Sequence, residues 1–302
     1  MKEVSQENTS GTPTEYLSAP SNLPKREWKN RLFRTIFATA VIFSLLMLLI
    51  LIIRIITQGI GSIDWQLFTN FASRHPDEAG LKAPLIGTIW MMALTGPISF
   101  VLGVGTAIYL EEYAKPNRFT TLIQTNISNL AGVPSVVFGL LGLTLFVREL
   151  SMGRSLIAGA LTMSLLILPI IVVSSQEALR AVPAELKQAS YAMGATTWQT
   201  IFKVVLPASV PGILTGTILA LSRAIGETAP LIMIGALTYI AFLPESIMSQ
   251  FTVMPIQIFN WTNRPQEEFH MVAAAGIIVL LVMLLVMNSI AVWIRNKFQR
   301  RF

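Results

Sequence analysis

Long apolar runs separated by short polar segments set the plan of the chain. Six runs are long enough to cross a bilayer as helices, which takes about 20 residues each. They cover 33–56, 84–110, 127–147, 156–179, 208–238 and 271–294. The third and fifth are punctuated. Gly132-Val133-Pro134-Ser135 interrupts one, and Pro211-Gly212 and Pro230 interrupt the other. Lipid tolerates such breaks only where neighbouring protein satisfies the freed backbone groups, so both helices are expected inside a bundle. Residues 1 to about 24 are rich in Ser, Thr, Asn, Pro and Glu and show no apolar period. With the basic stretch that follows, 1–30 is expected to be a disordered cytoplasmic tail ahead of a membrane domain, 31–302. The first run is too long, and too far from the start, for a signal peptide.

Composition sharpens this picture. The chain has 302 residues, 53% of them hydrophobic and 13% charged. A soluble domain carries about 25% charged residues, so a soluble enzyme is excluded. The net charge of +6 does not indicate nucleic acid, because the basic residues flank the apolar runs. With the N-terminus inside, fifteen Lys and Arg fall on inner segments and five (Arg74, Lys82, Arg148, Arg154, Arg264) on outer loops. This bias places both termini in the cytoplasm, as six spans require. Arg54 is expected to snorkel to the outer interface. Trp65, Trp90, Trp261 and Trp293 suit interfacial anchoring. There is no Cys, and the two His residues stand apart, so neither a metal site nor a cofactor is implied. No Walker-type phosphate loop and no inverted repeat is found, so the chain holds no ATP site of that kind and lacks the usual secondary-carrier signature.

The inner segment 180–207 predicts a hairpin. Pro183 suits a first helical turn. Leu186, Ala189 and Met193 share a face. Gly194 is placed to end that arm in the left-handed conformation, and Thr196 or Thr197 to cap the next. Trp198, Ile201, Phe202 and Val205 form a second apolar stripe, and Pro207 is expected to end it. Such a hairpin either lies on the headgroups or inserts into a partner, and the pattern alone supports both.

Here the sequence resembles a known family. Gln188-Ala189-Ser190, three residues, Gly194, nine residues, then Val204-Val205-Leu206-Pro207 is similar to the EAA loop of ABC importer permeases. That pattern reads E-A-A, three residues, G, nine residues, I-x-L-P. Gln188, Ser190 and Val204 depart from it. Gly132 to Gly139 and Ser222 to Leu231 resemble the A-type permease of the phosphate (Pst-type) ABC importer family. The resemblance implies an all-α integral membrane fold, the six-helix type I, MetI-like permease bundle. It implies a bacterial inner-membrane location, a second homologous permease, an extracytoplasmic phosphate-binding protein and two copies of an ATP-binding subunit. Hydrolysis would sit in those partners. It places Glu185, Gln188, Ala189, Ser190, Gly194, Thr197, Trp198, Phe202, Leu206 and Pro207 at the ATPase contact. The pathway residues it implies are Arg223 and Glu227, with Ser222 and Thr228 beside them.

The residues give their own reading of that pair. Glu227 is the one acidic residue deep within a run, and Arg223 precedes it by four, on the same face of a continuous helix. Gly212, Gly216 and Ala220 lie on nearly the same stripe and permit close packing. The pair either pins the bundle or forms an anion station. Arginine offers a planar fork to phosphate oxygens. A carboxylate accepts the proton phosphate carries, which sulfate lacks. A second cationic station near 170–175 is absent. The outer segment 239–269 is a candidate contact for a delivery protein. Three other readings stand beside the phosphate importer: an importer of sulfate, molybdate or phosphonate, an autonomous channel or carrier, and a non-transporting scaffold.

Overall fold

In the computed structural model the described residues are 23–236 and 239–298. The tail assigned to 1–30 lies outside them as far as residue 22, and so do 237, 238 and 299–302. From Leu23 the chain is already helical, so the first helix takes up the last eight residues assigned to the tail.

Helix α1, Leu23–Gly59, spans two compact units that divide at Arg54. From Leu32 to Leu51 its Leu, Ile and Phe side chains face outward on every side. A helix apolar all round is one whose solvent is lipid. The hydroxyls of Thr35, Thr39 and Ser44 donate to carbonyls one turn back, so they need no water.

The second unit, Ile55–Phe302, holds the bundle. Besides short turns such as Trp65–Thr69, its helices are α2 (Lys82–Tyr113), α3 (Arg118–Leu130), α4 (Ser135–Glu149), α5 (Leu156–Arg180), α6 (Ala184–Ala192), α7 (Thr197–Ile225), α8 (Ala229–Ile234), α9 (Met254–Thr262) and α10 (Glu267–Phe298). Among the described residues, five helices are long and apolar enough to cross a membrane, and a sixth crossing is reached if the bent pair α3–α4 counts as one span.

Helix α5 is the axis. Leu156, Met163, Ile167, Ile171, Val172 and Leu179 are fully buried along it. Small residues bring its neighbours in: Gly103 of α2 meets Ile171, Gly142 of α4 meets Thr162, and Gly212 and Gly216 of α7 meet Ala178 and Ser174. A side chain at any of these glycines would collide with α5, which is how helices associate where apolar burial from water gives no drive.

Two expectations about the fifth run are corrected, while the third run is interrupted where its Gly and Pro residues predict. It breaks at Ala131–Pro134 with a bend of 106°. Pro134 disfavours helical geometry at the residue before it. Upstream of the break, α3 is amphipathic and packs Ile123 and Ile127 on the inner ends of α2 and α5. The fifth run ends as a helix at Ile225 rather than near residue 238, and the chain resumes as the short α8. The ring of Pro230 would clash with the carbonyl of residue 226 in a continued helix, so the break falls there. Neither Pro207 nor Pro211 interrupts α7. A wide π turn at Ile201–Val205 lies immediately ahead of Pro207, with Leu206 N bonded to Ile201 O. The second arm of the hairpin and the fifth span are therefore one rod.

The segment 239–269 is largely built into the bundle. Phe251, Val253, Met254, Ile256 and Trp261 are buried. Met254 N donates to Thr88 Oγ1 of α2 at 2.9 Å. Leu156 N and Ile157 N, free at the start of α5, donate to Ser249 O and Ile247 O. Phe242, Ile247 and Met248 remain on the surface.

Candidate functional site

Arg223 stands in the last turn of α7, and Glu227 lies two residues beyond its end. Arg223 Nε is 3.4 Å from Glu227 Oε1. The contact crosses from the helix into the break, so the two do not share a face of a continuous helix. The Arg223 side chain is 51% exposed and that of Glu227 is 19% exposed. The carbonyls at the end of α7 favour a cation in its last turn, which helps explain why arginine is accepted here.

The depth of the pair follows from packing. α7 runs antiparallel to α5 with Gly212 against Ala178 and Gly216 against Ser174. Continued at about 1.5 Å per residue on both helices, this pairing brings Arg223 level with Ile167, midway along α5. The neighbouring Leu221 approaches Gly96, midway along α2. A charged side chain half-exposed at mid-depth would cost at least ~2.5–3.5 kcal/mol against lipid. It belongs to a wet cavity or to a surface that another protein covers.

A second interruption sits nearby. Gly139 of α4, one turn beyond the Gly132-to-Ser135 break, lies on Pro230 and Met233 of α8. The two motif segments that carry the family resemblance, far apart in the chain, thus meet at nearly the same level as the charged pair. Helices interrupted at mid-depth are tolerated where they line a cavity or pack on protein.

The remaining pathway candidates divide. Thr228 precedes α8, makes no capping bond and stays partly exposed beside Glu227. Ser222 is engaged within the bundle. Its hydroxyl lies 2.6 Å from Asn288 Oδ1 of α10 and 2.7 Å from Ile218 O, so it fastens α7 to α10. Arg295 Nη1 donates to Thr215 Oγ1 at 3.3 Å further down the same seam. Asn288 was missed in the sequence, although an amide inside an apolar run is itself a signal of an interhelical bond. On the inner half of α5, Gln176 and Glu177 join Gln124, Thr125, Ser128 and Asn129 of α3 in a hydrophilic cleft of about 420 Å³.

At the other end of α7 the hairpin forms as its residues predict. Gly194 has φ +80°, the left-handed region that glycine enters cheaply. Thr196 caps α7 through Gln199 N, and the Gln199 side chain accepts from Thr196 N, a reciprocal capping box. Pro183 precedes α6 as its cap rather than standing in its first turn. Ser190 and Thr200 join the arms at 2.9 Å.

The apolar stripe of the second arm splits in two. Ile201 and Val205 are buried, Val205 in a cluster with Leu110 and Leu179, while Trp198 and Phe202 lie 3.9 Å apart between centroids and face outward. Trp198 is 61% and Met193 88% exposed. Glu185, Gln188, Ala189 and Thr197 are exposed with them, Ser190 is half-buried, and Leu206 and Pro207 are half-buried in the rod. Two ion-paired acids were not singled out. Glu111 and Glu112, at the hairpin end of α2, hold Arg180 and Lys187 at 2.9 and 2.6 Å. A pair of adjacent acids facing a basic inner loop was the available signal.

Interrupted helices at mid-depth and an outward apolar hairpin on one rod define a membrane permease driven from outside itself. Residues 99–302 match the family described as the binding-protein-dependent transport system inner membrane component, and the chain belongs to that family. Residues 20–66 match a domain of unknown function, DUF3333. The chain is 31% identical over 259 residues to the probable ABC transporter permease protein YqgI of Bacillus subtilis, covering 82% of this chain and 88% of the relative. It is 30% identical over 281 residues to the phosphate transport system permease protein PstA 1 of Mycobacterium tuberculosis, covering 92% of each.

Among solved structures, the fold is similar to a bacterial ABC transporter involved in import of the acidic polysaccharide alginate. There the TM-score is 0.66 at 16% identity, over 93% of this chain and 100% of that one. It is also similar to an inward-facing MetNI methionine ABC transporter, with TM-score 0.59 at 18% identity, over 71% of this chain and 95% of that one. The protein is thus a multi-pass inner-membrane transport component of MetI-like fold. It is not an enzyme, and ATP hydrolysis belongs to a separate subunit.

Proposed function

We propose that this chain is one permease half of an ATP-driven importer of inorganic phosphate. The observation that carries the reading is the half-exposed Arg223–Glu227 pair at mid-depth, where two interrupted helices meet, on the same rod that ends in the docking hairpin. Arg223 presents its guanidinium to phosphate oxygens. Glu227 accepts the proton that phosphate carries, an acceptor that sulfate would leave unpaired at a cost of ~1–3 kcal/mol. Thr228 supplies a further hydroxyl beside them. The 3.4 Å contact leaves the pair loose enough to open for a ligand.

An exposed charge at mid-depth needs a partner surface, which a second homologous permease supplies. Two ATP-binding subunits dock below, on the hairpin face of Glu185, Gln188, Ala189, Thr197, Trp198 and Phe202. A phosphate-binding protein delivers from outside, and both termini lie in the cytoplasm. Closure of the ATPases drives the 184–206 hairpin, and α7 carries that displacement to Arg223 as a rigid helix. The test is uptake by the whole complex in proteoliposomes, with phosphate and sulfate compared for wild type and Glu227→Met, which removes the acceptor. Loss of discrimination between the two anions is expected in the variant. Unchanged selectivity overturns the proton-acceptor role, and uptake by this chain alone without ATP overturns the importer.

A further inference from the structure

The inner end of α2 carries a contact that translocation at Arg223 does not explain. Lys187 Nζ of α6 lies 2.6 Å from Glu112 Oε1, with the carboxylate side chain 8% exposed and the lysine 25%. Beside it, Arg180 Nε at the end of α5 lies 2.9 Å from both oxygens of Glu111. The Arg180 side chain is more than half exposed, and exposed pairs hold little. The Glu112–Lys187 pair is the one shielded from water and salt.

Helix α6 buries none of its side chains. Polar contacts therefore carry much of its attachment. Ser190 ties it to Thr200 and so to α7, while Lys187 ties it to Glu112 and so to α2. The first arm of the docking hairpin is thus fastened to two different helices. One is the rod that carries Arg223. The other lies against α5 along its length, with Gly103 on Ile171 and Thr95 Oγ1 bonded to Ala160 O at 3.4 Å.

We infer that Glu112 is a positioning residue for coupling. Through Lys187 it delivers displacement of the hairpin to α2 and α5 as well as along α7, so that the two sides of the bundle move together. The inference rests on the importer reading. It predicts that a broken clamp leaves the ATPase docked and hydrolysing while the stroke reaches only α7.

The experiment uses the complete importer in proteoliposomes: both permeases, the ATPases and the binding protein. Glu112→Lys, Lys187→Glu and the double exchange are compared with wild type. Each single variant is expected to keep the co-purified ATPase and its basal hydrolysis, measured without the binding protein. Phosphate moved per ATP falls on the order of tenfold, as for loss of a typical coupling between sites, and the double exchange recovers most of it. Unchanged transport per ATP in the single variants overturns the clamp. So does an assembled double exchange that recovers nothing.

Glu112→Gln, which keeps an acceptor for Lys187 but removes the charge, covers the case in which a reversed charge prevents assembly. It is expected to assemble and to lower transport per ATP, and wild-type coupling in it overturns the inference. If the wild-type complex hydrolyses ATP on addition of the binding protein but moves no phosphate, the substrate reading fails by itself. The clamp is then read from the binding-protein-stimulated hydrolysis. Loss in the single variants with recovery in the exchange supports it, and no change overturns it.

Discussion

Gly139 of α4 and Pro230 of α8 are in backbone contact: a Cβ on Gly139 would lie 2.7 Å from Pro230 Cα and 2.8 Å from Met233 Cβ. The two helices that continue beyond the mid-depth breaks are held together at this point, and Gly139 is buried in it. Gly139→Ala forces a backbone shift rather than a side-chain adjustment. Overpacking of this kind costs about 1–3 kcal/mol. A lowered melting temperature of the purified permease is expected, together with reduced uptake. Gly105, which has open space around its Cβ position, provides the control, since Gly105→Ala meets nothing.

Arg223 and Glu227 separate stability from transport. Their contact is long, and the arginine is half exposed, so the pair contributes at most ~1 kcal/mol to holding the bundle. Arg223→Ala is expected to leave the melting temperature within a few degrees of wild type while phosphate uptake falls steeply. If the variant unfolds early and uptake falls only in proportion to the folded fraction, the pair is a structural pin after all.

Gly194 isolates a backbone effect. Nothing lies within 4 Å of its Cβ position, yet its φ is +80°. Gly194→Ala therefore costs conformation without collision, about 1–2 kcal/mol. Asn, which enters the left-handed region more readily than other residues with a side chain, should be tolerated better, and Val worse. Retention of the ATPase during purification of the complex should fall in the order Gly, Asn, Ala, Val. A reversed order would mean that the turn is not the element that matters.

Local chemistry specifies the parts of the fold that the sequence makes legible, and contacts across the bundle specify the rest. Gly194, Thr196 and the spacing up to Pro207 define the hairpin turn and its cap within a few residues. The six apolar runs are visible because lipid demands them. The end of α7 at Ile225 was also within reach, since Pro230 forbids the carbonyl four residues back. Its mistaken extension to residue 238 came from counting apolar length alone. The partners of Glu112, Asn288 and Gly139 were beyond local reading, because each lies at least 60 positions away. The split of the Trp198–Val205 stripe likewise needs the position of α5, since all four residues are apolar and lie on one side of the helix.

Ser222 and Asn288 make a bond that a double-mutant cycle measures. Interhelical bonds of this kind are worth about 0.6 kcal/mol on average and up to ~1.7 kcal/mol. Ser222→Ala and Asn288→Leu should each lower stability by an amount in that range. Because Ser222 and Asn288 act on one contact, the double variant should lose less than the two single losses combined. Full additivity would show that each side chain has another role. Uptake selectivity between phosphate and sulfate should not change, since both side chains are engaged within the bundle.

Ile201 and Trp198 lie three residues apart in the same arm and should respond in opposite ways. Ile201 is buried, so Ile201→Ala removes packed methylenes and costs about 2–5 kcal/mol. The permease should melt earlier, whether or not an ATPase is present. Trp198 lies beside Phe202 and faces outward. Trp198→Glu should leave the melting temperature of the isolated permease nearly unchanged, because little buried contact is lost. In the complex, the new carboxylate must enter whatever surface receives the hairpin, and a buried unpaired charge is strongly disfavoured. The ATPase should then be lost from the purified complex. If Trp198→Glu retains a full complement of ATPase, the outward face of the hairpin is not the surface the motor grips.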